Sequence, residues 1–148
     1  MANFAQLNSK NIVKQVIVVD DDTITDSNGR VSEYVGVSFC QQSVEDFSTV
    51  WKQTSNTMRG NPAGIGMTYM TNVQTLGVAS TDIFIKVQPY ESWTVGVNTA
   101  SWFAPIAKPA LTSSQISDNK TYSWDEVAYQ ADTSDPKTVG WTLSTRPL

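Results

Sequence analysis

Tyr90-Glu91-Ser92-Trp93-Thr94-Val95-Gly96-Val97-Asn98-Thr99-Ala100-Ser101-Trp102-Phe103-Ala104-Pro105 is the stretch around which the rest of the chain is organised. Two tryptophans flank a centre at Val97-Asn98, and Gly96, Asn98 and Thr99 supply turn chemistry. Folded there as a hairpin, the segment sets Trp93 opposite Trp102 and Val95 opposite Ala100. Cross-strand aromatic pairs contribute about 0.2–1 kcal/mol beyond simple burial, and each ring removes a large apolar area from water. Tyr122-Ser123-Trp124 repeats the tyrosine, serine, tryptophan order and meets Trp141 across a longer, more polar loop. A small, mainly β protein is expected, with Trp-rich hairpins in its C-terminal part.

The chain has 148 residues, enough for one ordinary domain or two small ones. Its 40% hydrophobic content supports a core. Ten basic against fourteen acidic residues leave a net charge of −4, which argues against a phosphate-backbone partner. The single cysteine, Cys40, cannot form an internal disulfide. Met1-Ala2-Asn3-Phe4 lacks the basic start and apolar run of a signal peptide. No window approaches the roughly 18 apolar residues of a membrane span, so the expectation is synthesis in a cytoplasm and no membrane partner. Histidine is absent. Ser-His-Asp and Cys-His catalysis and the commonest zinc ligand go with it.

Taken in order, Phe4-Ala5-Gln6-Leu7 and Ile12-Val13-Lys14-Gln15-Val16-Ile17-Val18-Val19 predict an N-terminal hairpin joined through Asn8-Ser9-Lys10-Asn11. Residues 20–30 read as a polar loop. A calcium loop fails there: with Gly29 at the EF-hand glycine, Ile24 and Val35 fall on ligand positions and offer no oxygen. Residues 33–39 alternate, with Val35, Val37 and Phe39 on one face, and predict a half-buried strand. Cys40 at its end reads as a small core residue. Residues 43–51 predict the one short helix, with Ser43 as cap, Asp46 three residues on, and Val44, Phe47 and Trp51 on one stripe. Gly64 and Gly66 could cradle a phosphate, but no Gly-Lys-Ser/Thr follows and a third glycine is missing. A tight turn before a strand at 65–70 is the better account. Residues 71–82 read as an exposed loop and 83–87 as a strand.

Pro89 marks a boundary. Residues 1–88 are expected to form an N-terminal β-rich, sandwich-like domain with one short helix, and residues 89–148 a Trp-rich hairpin region holding four of the five tryptophans. Residues 104–119, with Pro105 and Pro109, read as a linker or arm. The last strand is placed at 138–143.

Several of these stretches together resemble a group of small virion structural proteins of marine tailed phages, cyanophages among them. The resemblance is carried by Phe4-Ala5-Gln6-Leu7 with Val13 and Val16-Ile17-Val18-Val19, by Trp51-Lys52-Gln53-Thr54-Ser55, and by Asn61, Ala63-Gly64-Ile65-Gly66 and Thr68-Tyr69. Toward the C-terminal end it runs through Pro89-Tyr90, Ser92-Trp93-Thr94, Trp102, Ala104-Pro105 and Thr121-Tyr122-Ser123-Trp124-Asp125-Glu126. The blocks are spread over nearly the full length in one order. The chain departs from the pattern at Pro62, at Met70, and in a longer insert before Trp141. The resemblance implies a particle protein in the virion, without catalytic residues, cofactor or metal. It also implies a multi-copy or homo-oligomeric state among other virion proteins, the major capsid protein or tail proteins.

Three functions are weighed on the residues. The first is a capsid decoration or cement protein, whose candidate interface is Tyr90, Trp93, Trp102, Phe103, Tyr122, Trp124 and Trp141. Against it stands the plainer role of the same rings as staples for hairpins too small to make a core alone. The second is a tail, baseplate or fibre component whose tryptophans stack on a surface glycan. The third, a glycoside hydrolase, needs two acids about 5–10 Å apart. Asp125 and Glu126 are adjacent, and on a strand they would face opposite ways.

Overall fold

The computed structural model describes residues 1–75, 78–96 and 99–147, and at 72, 74–75 and 78–81 it describes the backbone alone. Over these residues the chain is mostly β, in small antiparallel sheets, with three short α-helices and a 3-10 turn at Asp21–Ile24. It divides into two compact units, one of residues 1–87 with 95–101, the other of residues 88–94 with 102–148.

In the first unit, β1 (Ala2–Leu7) is the middle strand of a three-stranded sheet, between β2 (Val13–Val19) and β3 (Val50–Thr54). The expected N-terminal hairpin is present, with Ala2 opposite Val19 and Leu7 opposite Val13. A register shift falls between Gln6 and Leu7, and Gln15 Nε2 donates to Gln6 Oε1 at 2.7 Å across the ladder. A middle strand with cover on both sides needs apolar residues on both faces. Ala2 and Phe4 accordingly pack with Val19, Ile24, Cys40 and Trp51. Ala5 and Leu7 pack with Val13, Tyr69 and Phe84.

The helix expected at 43–51 stands one segment earlier. The first helix, α1, spans Glu33–Ser43 and replaces the half-buried strand read at 33–39. Ser32 caps it by accepting the Val35 amide, and Glu33 sits in the first turn, where a carboxylate meets the positive end of the helix dipole. The face turned inward is Gly36 and Cys40, four residues apart. The period-2 spacing of Val35, Val37 and Phe39 is therefore incidental; Phe39 is 37% exposed. Ser43, read as a cap, closes this helix instead, its Oγ donating to the Phe39 carbonyl at 2.8 Å. Asp46 ties down the following turn by accepting the Ser48 amide at 2.9 Å. Trp51 then lies on β3 opposite Gln6, not on a helical stripe. Cys40 is fully buried, and burial pushes its thiol up to about 11, so it stays a packed, protonated side chain.

The loop expected at 71–82 is also corrected. β4 (Thr68–Thr75) and β5 (Val78–Ile85) form one long hairpin, with Thr68 opposite Ile85 and Thr75 opposite Val78. The turn residues Leu76 and Gly77 lie outside the described residues. Polar and small residues through 71–81 give this part of the sequence little hydropathy contrast, which hides the strands from a pattern reading. Ahead of β4, Gly66 adopts φ 89° and gives its amide to the Val13 carbonyl at 2.9 Å. That amide is spent on the chain turn.

Arg59 joins these pieces. Its guanidinium donates to Glu33 Oε2 at 3.1 Å and to the Gln53 carbonyl at 2.7 Å, and it lies over the Tyr69 ring at 5.8 Å. Tyr69 Oη in turn donates to Asp82. Burial raises the Glu33 carboxyl, but the Arg59 and Gln53 bonds outweigh it and leave it below its ordinary value.

Gly36 shows how closely α1 approaches the sheet: a Cβ there would stand 2.1 Å from Cζ of the fully buried Phe4 ring. Overpacking a closed core costs about 1–3 kcal/mol. Gly36→Ala is therefore expected to lower unfolding free energy by about that amount in urea denaturation, despite alanine's better helix propensity. An unchanged or higher stability would contradict this packing.

Candidate functional site

The second unit is built on β8 (Lys120–Trp124) and β9 (Trp141–Thr145), a two-stranded antiparallel ribbon. As expected, Trp124 pairs directly with Trp141. Residues 104–119 are not simply an arm. They carry α2 (Ser113–Ser117), opened by a capping box between Thr112 and Gln115. Asp125 and Glu126 stand at the start of α3 (Glu126–Ala131), not on a strand. Asp125 is the cap, its Oδ1 accepting the Ala128 amide at 2.9 Å. The insert before Trp141 is closed by Asp132. Its carboxylate accepts the Ser134 hydroxyl and amide and the Thr138 and Val139 amides. Those bonds hold its carboxyl far below its ordinary value.

The hairpin around Val97-Asn98 is displaced from its expected register. β6 (Thr94–Val95) pairs with β7 (Trp102–Phe103), and the Gly96 amide donates to the Ser101 carbonyl at 2.8 Å. This sets Gly96 against Ser101, two positions from the partner that would put Val95 opposite Ala100. Trp93 is correspondingly not the facing partner of Trp102. Val97 and Asn98 themselves lie outside the described residues.

Four of the seven expected interface residues gather into one ring cluster. Trp93 meets Tyr90 at 5.5 Å, Trp124 at 6.0 Å and Trp141 at 6.1 Å between centroids. Trp124 meets Trp141 at 5.2 Å and 74°, edge to face, an arrangement that contributes about 0.5–1.5 kcal/mol per pair beyond area burial. Trp102 and the 51%-exposed Phe103 flank a recess that they share with Trp93, Ile106, Lys108 and Trp141. Tyr122 lies two residues before Trp124 on the same strand, half-buried and opposite Leu143.

The residues that organise the cluster were not read in that role from the sequence, where Glu126 was weighed only as half of a candidate acid pair. Glu126 is the chief one. Its Oε1 accepts the Ser92 amide at 2.9 Å and Gln130 Nε2 at 3.1 Å. Its Oε2 accepts the Ser92 hydroxyl at 2.6 Å and the Trp124 indole N–H at 2.7 Å. Desolvation raises this carboxyl, but the Ser92, Trp124 and Gln130 bonds outweigh it and hold it at about 2. Gly140 is buried because the Trp124 ring lies on it. A Cβ there would be 2.4 Å from the ring's Cζ3 and Cη2. Tyr129 covers Trp124 at 5.2 Å, and Lys137 Nζ stands over Tyr129 at 4.6 Å. The pattern Trp-Asp-Glu, a cap and a helix start directly after a strand tryptophan, was the available signal.

Each indole N–H has a different fate. Trp124 donates to Glu126 and Trp141 to the Ile106 carbonyl at 2.8 Å. Trp93 Nε1 is buried with no acceptor, a state that costs about 1–3 kcal/mol. The recess beside it is about 220 Å³, with apolar walls apart from Lys108, whose Nζ sits 5.7 Å over the Trp141 ring. Of the adjacent acids, Asp125 is spent as a cap, and Glu126 is held ionised by the Ser92, Trp124 and Gln130 bonds. Among the described residues no three of His, Cys, Asp or Glu converge to hold a metal.

Compared with known proteins, the chain matches no family model, no curated protein and no solved structure.

A depressed carboxylate contributes stability above its unfolded value and loses it as pH falls through the folded one. For Glu126 that window runs from its ordinary 4.5 down to about 2. Acid titration of tryptophan fluorescence is expected to show the C-terminal rings losing their packed signal across this window. In Glu126→Gln the neutral-pH signal should already be weakened and its pH dependence there flattened. A variant with the wild-type profile would contradict the assignment.

Proposed function

We propose that the chain is a virion building block, a decoration or cement protein that reinforces an assembled capsid through subunit contacts. The observation that carries this reading is the distribution of apolar surface in the C-terminal unit. Among its described residues Trp124 and Gly140 are buried, whereas Phe103, Ile116, Val127, Val139 and Leu143 stand exposed, Val127 at 80%. Scattered exposed apolar residues are ordinary. A unit of about fifty residues that exposes more large apolar side chains than it buries is not, because modules this small already sit near the limit of independent stability. Docking on a neighbouring subunit supplies the missing cover.

The sequence resemblance to small virion proteins of marine tailed phages supports the same reading. The glycan alternative finds less support in this unit. Sugar hydroxyls require several directed polar partners, and the recess between the tryptophans offers walls of carbon. No catalytic role is proposed.

Quantitative mass spectrometry of purified particles tests the placement. A copy number comparable to that of the major capsid protein is expected, together with particles that lose heat resistance when the protein is stripped. A handful of copies per particle would overturn capsid decoration and move the protein to the tail or fibre.

A further inference from the structure

We propose that the recess beside Trp141 is a docking site for a partner-protein segment that inserts one aromatic or branched apolar side chain flanked by a carboxylate. Size selects the first element. At about 220 Å³ the recess lies below the roughly 300 Å³ where cofactor and drug-sized pockets begin. It is somewhat larger than the cavity of about 150 Å³ that accepts benzene. One large side chain fills it. The walls agree: Trp93, Trp102, Phe103, Ile106 and Trp141 offer ring faces and aliphatic carbon.

Charge selects the second element. Lys108 is the one charged residue of the lining. Its ammonium stands over the Trp141 ring and, among the described residues, has no carboxylate partner. An unpaired cation at the mouth of an apolar recess favours an anion beside the inserted group. The recess also has a polar reader of main chain already in use, since the Trp141 indole donates to the Ile106 carbonyl. Trp93, which also lines the recess, keeps a buried N–H that has no acceptor.

The inference takes its partner, a neighbouring subunit, from the assembly reading above, but its test uses the isolated protein. N-acetylphenylalanine carries the ring, the carboxylate and an amide carbonyl in one small probe. Its titration is followed through the indole N–H signals in ¹⁵N-correlated NMR spectra. Saturable shifts at Trp93, Trp102 and Trp141 are expected, with binding at least tenfold tighter than for phenethylamine, whose charge is reversed. Lys108→Glu, at an exposed position, should invert that preference, with the remaining indole signals of the free protein unmoved as the check that the ring packing survives. Lys108→Gln should reduce it.

Unmoved indole signals up to the solubility limit would overturn the proposal, as would equal binding of the two probes or a preference indifferent to residue 108. Shifts produced by N-acetylglucosamine and not by N-acetylphenylalanine would overturn it in favour of a sugar site. Few copies per particle would leave these results standing and refute the capsid placement alone.

Discussion

One carboxylate holds the C-terminal unit together. Glu126 collects two bonds from Ser92, one from the Trp124 indole and one from Gln130. It thereby ties residues 88–94 to the start of α3 and to the last residue of β8. Charge-assisted bonds of this kind are shorter and stronger than neutral ones, and they are directional where ring packing is not. The tryptophans supply apolar area, while Glu126 fixes which edge meets which face. The two work together because Trp124 belongs to both, its ring lying on Gly140 and its N–H bound to the acid.

The N-terminal unit is built on the opposite principle. There β1 is covered on both sides, by α1 and by the base of the β4–β5 hairpin, and its side chains are buried almost without interruption. Its part-buried ion pair, Glu33 with Arg59, fastens the first turn of α1 to the backbone of β3, and Arg59 lies over the Tyr69 ring. This unit buries two apolar clusters, although Tyr34, Phe47, Ile65 and Val87 stand exposed on it. The C-terminal unit buries far less beneath its own exposed residues, with Trp124 the one large apolar side chain buried among its described residues.

The β-branched run at 16–19 made β2 legible from sequence, the short polar link to Phe4-Ala5-Gln6-Leu7 made its partner β1 legible, and the matched Trp124 and Trp141 made the final ribbon legible. Cys40 could be read as core because no basic neighbour activates it. The helix was misplaced because a strand pattern and a helix pattern coincide at Val35, Val37 and Phe39. What decides between them is Gly36 admitting the Phe4 ring, a contact 32 residues away in sequence. The capping signature at Ser43 and Asp46 was genuine turn chemistry attached to the wrong element. The outer ends of β4 and β5 were legible in the strands read at 65–70 and 83–87, while the polar and small residues between them carry little hydropathy contrast and hid the rest. Within the site, the aromatic residues were visible by type. The roles of Glu126 and Gly140 were not, because an acid next to a helix cap and a glycine before a tryptophan acquire meaning only when Ser92 and Trp124 are brought to them.

Aromatic clusters on small β ribbons are often treated as adhesive patches in their own right. Here the rings divide their labour: Trp124 is consumed by internal packing, whereas Trp102 and Phe103 remain beside an open recess. Hydrogen exchange at single-residue resolution reads that division most directly, in wild type and in Glu126→Gln. The account predicts that the Ser92 amide exchanges in step with the β8–β9 ladder amides in wild type, and that both lose protection together in the variant. A Ser92 amide that exchanges freely while the ladder stays protected, or a ladder unaffected by the substitution, would contradict it.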